Sequence, residues 1–310
     1  MTLTLQRGGQ MRIGVDLGGT KIEFAAIADD NRILARNRTQ TPAGDYLATI
    51  DAVRDGVQAL EREIGQSGSV GVGIPGSLSP STGKVRNANS TCLNGNPLES
   101  DLEKALNRPV RLANDANCFA LSEALDGAGH GAEIVFGIIL GTGVGGGLVI
   151  NRRLVTGRNA IAGEWGHNPL PWSEHPDTDP RHCYCGQSGC IETHLSGPAL
   201  SRAYETATGD TSEAAQVALK ASGGNKAAQE VLAEYERKLA RAIAQIINIL
   251  DPDVIVLGGG LSNIGQFYDT VPDLWGEWVF SDSVATRLVP PRHGDSSGVR
   301  GAAWLWPSKT

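Results

Sequence analysis

Twice in this 310-residue chain an apolar run leads into a glycine-rich tip and straight out into a second apolar run. The first instance is Arg12-Ile13-Gly14-Val15-Asp16, then Leu17-Gly18-Gly19-Thr20-Lys21, then Ile22-Glu23-Phe24-Ala25-Ala26-Ile27. The second is the run 134–140, then Gly141-Thr142-Gly143-Val144-Gly145-Gly146-Gly147, then Leu148-Val149-Ile150. Short apolar runs bounded by glycine read as strands, so each instance reads as a hairpin. Two better-known glycine motifs are thereby disfavoured. Gly141, Gly143 and Gly146 satisfy G-x-G-x-x-G, but a strand follows where a dinucleotide fold needs a helix. The first tip lacks the G-x4-G-K-[ST] spacing of a Walker A loop. The echo suggests two related α/β halves facing each other across a cleft. A length of 310 residues also favours two domains.

A hairpin tip of this kind has its own chemistry. Backbone amides at Gly18, Gly19 and Thr20 can form a nest for a phosphate. Asp16 beside them is placed to hold Mg2+ through water. An ordinary acidic turn fits the same residues.

Between the hairpins, 45–65 carries Leu47, Ile50, Val53, Val57, Leu60 and Ile64 at helical spacing. Residues 69–74 read as a strand broken by Pro75-Gly76, and 77–96 as a long polar loop. Asn89 is its candidate binding residue. The strand 110–112 leads into Asn114-Asp115 and a helix over 116–125. Asn114 or Asp115 can cap that helix. Asp115 also stands at a strand-to-helix junction, where α/β folds place a general base. Further on, 226–250 reads as one long amphipathic helix and 254–257 as a buried strand. Gly258-Gly259-Gly260 then opens onto a further helix, either as a tight turn or as bare backbone for a flat ligand such as adenine. The 293–298 stretch reads as a loop and 302–306 as a short closing helix.

Three of the five cysteines lie within Cys183-Tyr184-Cys185-Gly186-Gln187-Ser188-Gly189-Cys190. With an upstream histidine, this is the Cys3His donor set of a closed structural zinc site. His167 is the expected fourth ligand, with His182 and His175 as nearer substitutes. Glu164 and Glu192 flank the ligands, so a metal would fix both carboxylates in one place. We expect this segment to be scaffold that turns the carboxylates and His167 toward a polar substrate.

The balance of the chain narrows the partners. A net charge of −7 and a pI near 5.4 argue against nucleic acid. No apolar run nears the roughly 18 residues of a membrane span. With no secretory signature, a soluble cytoplasmic protein without disulfides is expected. Residues 1–10 read as a disordered tail, and Met11 is an alternative start.

Asp16-Leu17-Gly18-Gly19-Thr20-Lys21, Asn114-Asp115-Ala116-Asn117, Gly141-Thr142-Gly143, Glu164-x-Gly166-His167, the Cys183–Glu192 segment and Gly258-Gly259-Gly260 occur in that order. In this combination the chain resembles the ROK family of bacterial sugar kinases and repressors, over nearly all of 11–307. The 76–80, 87–91 and 166–172 segments look most like fructokinases that also accept mannose. Segments 114–124 and 140–149 look as much like N-acetylglucosamine kinases.

The resemblance implies a two-domain, actin-like (ribonuclease H-like) α/β fold with a structural zinc site. Residues 11–121 with 296–310 would form the small domain and 122–295 the large one. It implies ATP, Mg2+ and zinc, a small-molecule hexose and a homodimer. Asp115 would be the base on the sugar 6-hydroxyl, with D-fructose the leading substrate and D-mannose or D-glucose also accepted. Gly76, Asn89, Asn114, Asp115, Glu164, His167 and Glu192 would line the sugar. Asp16, Gly18, Gly19, Thr20, Lys21, Thr142, Gly143, Gly258 and Gly259 would line the nucleotide and its Mg2+. His167, Cys183, Cys185 and Cys190 would hold zinc. The alternatives are an N-acetylglucosamine kinase of the same family and a non-catalytic sugar sensor of the repressor kind. The ten residues before Met11 are expected to leave no room for a DNA-binding helix-turn-helix.

Overall fold

The computed structural model describes residues 11–172 and 181–307. The expectations for residues 1–10 and for His175 as a ligand lie outside the described residues. The chain divides into two compact units. One comprises the described residues of Met1–Ser122, Thr156–Ile161 and Ser296–Thr310, and the other those of Glu123–Val155 and Ala162–Asp295.

The first unit holds β1 (Arg12–Leu17), β2 (Lys21–Ile27), β3 (Ile33–Gln40), α1 (Tyr46–Ile64), β4 (Ser69–Ile74), β5 (Ser77–Leu78), β6 (Val85–Arg86), α2 (Leu98–Leu106), β7 (Val110–Asn114) and all but the last three residues of α3 (Asp115–Leu125). A five-stranded sheet runs β3-β2-β1-β4-β7. The β1–β2 hairpin forms as read, with Asp16 opposite Glu23 and Leu17 opposite Ile22. β4 and β7 extend the sheet in parallel, as crossover connections through helices require. α1 starts on Asp45, whose side chain accepts from the Ala48 amide, and stops at Gly65 with φ 75°. Its buried stripe is Ile50, Val53, Val57 and Leu60, while Leu47 is 72% exposed and takes no part in the core.

Two segments of this unit differ from the sequence reading. The polar stretch 77–96 is not plain loop. β5 and β6 pair in it, a 3-10 turn covers Thr91–Leu93, and Val85, Ala88 and Leu93 are buried. The closing helix runs over Ser297–Ala303, earlier than expected. Its Ser/Gly start reads as loop, yet tertiary packing overrides propensity there. A Cβ at Gly14 or Gly71 would collide with the carbonyls of Val299 and Ala302, so bare strands β1 and β4 admit the helix backbone at close range.

The second unit holds β8 (Ile134–Leu140), β9 (Val144–Ile150), β10 (Arg153–Val155), α4 (Ile191–Leu195), α5 (Gly197–Thr208), α6 (Ala214–Ser222), α7 (Lys226–Leu250), β11 (Val254–Gly258), α8 (Phe267–Trp275) and β12 (Arg287–Val289). Its sheet runs β10-β9-β8-β11-β12. Antiparallel pairs on one side of β8 and parallel pairs on the other repeat the pattern around β1. The echo in the sequence is thus a repeated sheet topology. β9 starts inside the glycine run, at Val144 rather than Leu148, because Gly145, Gly146 and Gly147 pair directly with Ile139, Ile138 and Gly137. α7 is capped by Asn225 and buries Leu232, Tyr235, Leu239, Ile243 and Ile247 along one side. The triple glycine leads into a 3-10 turn, Gly260–Asn263, and α8 begins only at Phe267. Among the described residues no helix is long and apolar enough to cross a membrane.

Candidate functional site

In the first unit the candidate residues gather at the ends of β1, β4 and β7. The Gly18 amide donates to the Lys21 carbonyl at 3.0 Å, closing the hairpin tip. Thr41 staples it from outside, its hydroxyl on the Gly18 carbonyl at 2.7 Å and its amide on the Thr20 carbonyl at 3.0 Å. Gly19, Thr20 and Lys21 are left exposed. A side chain at Gly19 would come 3.4 Å from Ser90 Oγ, so the loop carrying exposed Asn89 lies beside the tip.

Asp115 opens α3 in an exposed position. Its Oδ1 and that of Asn114 both accept from the Ala116 amide, at 2.8 and 2.9 Å. The capping role read from the sequence is therefore present. Asn114 Nδ2 also donates to the Gly76 carbonyl at 3.1 Å, which brings Gly76, Asn114 and Asp115 together. Burial, then the negative charges of Asp115 and Glu23, push the Asp16 carboxyl up to about 6, against the opposing charge of Lys21. Cys118 lies fully buried nearby, and burial plus the charges of Asp16 and Asp115 push its thiol well up. Asp16 and Asp115 thus form one acidic pair at the strand ends, an arrangement suited to a divalent cation and a proton acceptor.

In the second unit, a ring nitrogen of His167 and the sulfurs of Cys183, Cys185 and Cys190 all lie within 4.8 Å of one another. Cys183 Sγ is 3.5 Å from His167 Nδ1, and Cys185 Sγ is 3.6 Å from Cys190 Sγ. Zinc–sulfur bonds of about 2.3 Å at tetrahedral angles place two sulfurs about 3.8 Å apart. The donor set and its spacing therefore fit zinc. His182 stands outside the group, its Nδ1 paired with Ser188 Oγ at 3.1 Å. Burial pushes the Cys183 thiol up and the Cys190 thiol up to about 12, while hydrogen bonding, first from the Gln187 backbone, lowers Cys185.

Glu192 lies in the first turn of α4, beside this cluster. Its Oε2 accepts the Val144 amide at 2.9 Å, and its Oε1 lies 3.8 Å from Cys183 Sγ. Glu164 is exposed at the head of the 3-10 turn Trp165–His167, which is pinned by buried Trp165. Thr142 is exposed at the β8–β9 tip. Gly258 ends β11, and Gly259 follows with φ 80°. A Cβ at Gly259 would collide with the Leu140 carbonyl. Backbone packing on β8 thus demands that glycine, whatever lies against its other side.

The sequence matches the ROK family over residues 12–309. The chain belongs to the ROK family. It is 40% identical over 299 residues to an N-acetyl-D-glucosamine kinase of Vibrio cholerae, covering 95% of this chain and 99% of that one. Among solved structures it is similar to a ROK hexokinase from Thermus thermophilus, with a TM-score of 0.84, 30% identity, and 95% and 97% of the two chains covered. A ROK family glucokinase from Streptomyces griseus, solved with glucose and AMPPNP, gives a TM-score of 0.77 at 29% identity over 95% and 98% of the chains. This ROK protein has the family's actin-like, two-domain α/β sugar-kinase fold.

One residue at the site escapes a motif reading. Tyr184 sits between two of the clustered cysteines, with its hydroxyl 3.2 Å from His167 Nε2 and its ring edge-on to the imidazole at 5.2 Å. A large exposed aromatic between two clustered cysteines is the signal that could have found it.

Proposed function

We propose that this ROK sugar kinase transfers the γ-phosphoryl group of ATP to the 6-hydroxyl of N-acetyl-D-glucosamine. The observation that carries the reading is the 40% identity, nearly end to end, with the Vibrio cholerae N-acetyl-D-glucosamine kinase. It supports the alternative named from the sequence better than the fructose preference read from segments 76–80, 87–91 and 166–172.

Asp115 takes the proton from the acceptor hydroxyl, and Asn114, fastened to the Gly76 carbonyl, keeps the start of α3 in place for it. Asp16, whose carboxyl feels the charge of Asp115, would hold Mg2+, which would neutralise phosphate charge, and the tip amides around Gly18, Gly19 and Thr20 receive phosphate oxygens. In the second unit, Thr142, Gly143, Gly258 and Gly259 serve the nucleotide. Glu164 and Glu192 take sugar hydroxyls, as does Asn89 in the first unit, while His167 acts on the sugar through its Tyr184 partner; carboxylates accept well from hydroxyl donors. ATP supplies the phosphoryl group, and catalysis rests mainly on positioning and charge stabilisation. His167, Cys183, Cys185 and Cys190 would hold one structural zinc, and these residues would then fix the His167 ring and, through Cys183 and Cys190, the start of α4.

The test is coupled ATP consumption with N-acetylglucosamine, glucose, mannose and fructose. The reading expects the highest kcat/KM for N-acetylglucosamine. A tenfold preference for fructose would overturn the assignment while leaving a sugar kinase.

A further inference from the structure

Tyr184 is held as few exposed tyrosines are. The residues on either side of it, Cys183 and Cys185, belong to the candidate metal cluster, so a bound metal would fix its backbone at both ends. Its ring is 73% exposed and therefore contributes little to the core. Its hydroxyl nevertheless has a defined partner, His167 Nε2 at 3.2 Å, and the two rings meet at 87°.

We propose that Tyr184 positions the sugar and selects for an acylamino substituent, an inference that rests on the sugar-kinase reading above. His167 presents Nδ1 to the cysteines. With that nitrogen on a metal, the ring proton sits on Nε2 and is donated to the Tyr184 oxygen. The phenol has one proton of its own, and accepting from His167 turns that proton outward. Glu164 and Glu192 only accept, so they suit sugar hydroxyls. The outward Tyr184 O–H supplies the donor that an amide carbonyl oxygen needs, and the open ring face gives a methyl group an apolar surface. A sugar with a plain hydroxyl at the same carbon gains less from this donor, because the carboxylates already accept from hydroxyls.

The test compares wild type, Tyr184→Phe and Tyr184→Ala in the metal-loaded enzyme. Steady-state KM is read for N-acetylglucosamine, glucose and ATP, and N-acetylglucosamine binding is read by calorimetry without ATP. Tyr184→Phe is expected to weaken N-acetylglucosamine about tenfold in both KM and Kd, the scale of one lost hydrogen bond. Glucose should change less than about twofold, with ATP KM and zinc content unchanged. Tyr184→Ala should weaken N-acetylglucosamine further. Equal effects on both sugars, or unchanged N-acetylglucosamine affinity in both variants, would overturn the proposal. Absence of turnover in wild type would overturn the kinase reading alone, since calorimetry still decides whether Tyr184 holds the sugar.

Discussion

The Glu192 carboxylate accepts the Val144 backbone amide at 2.9 Å. This bond joins the tip of the β8–β9 hairpin to the helix start that follows Cys190. Glu192 Oε1 lies at the same time 3.8 Å from Cys183 Sγ. One carboxylate is thus aimed by the glycine-rich tip on one side and by the cysteine cluster on the other.

That aim has room for no side chain at the tip. A Cβ at Gly143 would come 2.6 Å from Glu192 Oε2. Gly143→Ala is therefore expected to displace the carboxylate and raise the KM for N-acetylglucosamine about tenfold, the scale of one lost charge-assisted hydrogen bond. Zinc content should stay at wild-type level. Steady-state kinetics with metal analysis checks both, and an unchanged sugar KM would count against Glu192 as a sugar ligand.

The cysteine cluster yields a second expectation. Structural zinc contributes folding free energy directly. Cys185→Ser should lower bound zinc, lower Tm by several degrees and weaken sugar binding, since His167 and Tyr184 lose their common anchor. Metal analysis, thermal unfolding and calorimetry read these. Full stability and affinity in a zinc-free protein would remove the coupling.

Asp16 gives a pH dependence with a definite sign. Its folded value of about 6 stands above its ordinary value of 3.8. The folded state therefore keeps this proton where the unfolded state has lost it. The stability it contributes is full below about 4 and is lost as pH rises through about 6. In Mg2+-free buffer, the Tm of Asp16→Asn relative to wild type should rise between pH 4 and pH 7, by at most the equivalent of about 3 kcal/mol. A difference that is flat or falls with pH would contradict the burial of this carboxyl.

Glu61 behaves in the opposite sense. Burial alone would raise it, but Arg108 and the Gly68 amide outweigh burial and hold the carboxyl below its usual range. Arg108 grips it with both terminal nitrogens, at 2.6 and 3.0 Å, and also donates to the Gly68 carbonyl at 3.1 Å. Arg108→Ala should cost about 1–3 kcal/mol at neutral pH. The loss should shrink as pH falls through the folded value of Glu61, where the carboxyl is protonated in both states. Denaturant unfolding at pH 7 and pH 3.5 measures it, and an equal loss at both would rule out the ion pair as its source.

The hairpins, the long helix and the cysteine cluster were legible because each rests on local pattern. The β1–β2 tip needs glycine and apolar strands, and α7 needs only its 3.6-residue stripe and its Asn225 cap. The choice between His167 and His182 was not decidable from spacing; the fold gathers His167 with the three sulfurs and pairs His182 with Ser188. Helix Ser297–Ala303 hid behind a serine and glycine composition that reads as loop, since its reason to form is close contact with Gly14 and Gly71 across the chain. Val85, Ala88 and Leu93 were masked by the polar residues around them. Tyr184 lay in plain view, but its tie to His167 is a tertiary contact.

The most direct measurement is ATP turnover across N-acetylglucosamine, glucose, mannose and fructose, with Asp115→Asn alongside wild type. The expected result is a clear kcat/KM maximum for N-acetylglucosamine and loss of about 10²-fold or more in the variant, the usual scale for a general base, with sugar binding retained. Good sugar binding without turnover of any of the four, or full activity in Asp115→Asn, would contradict the account.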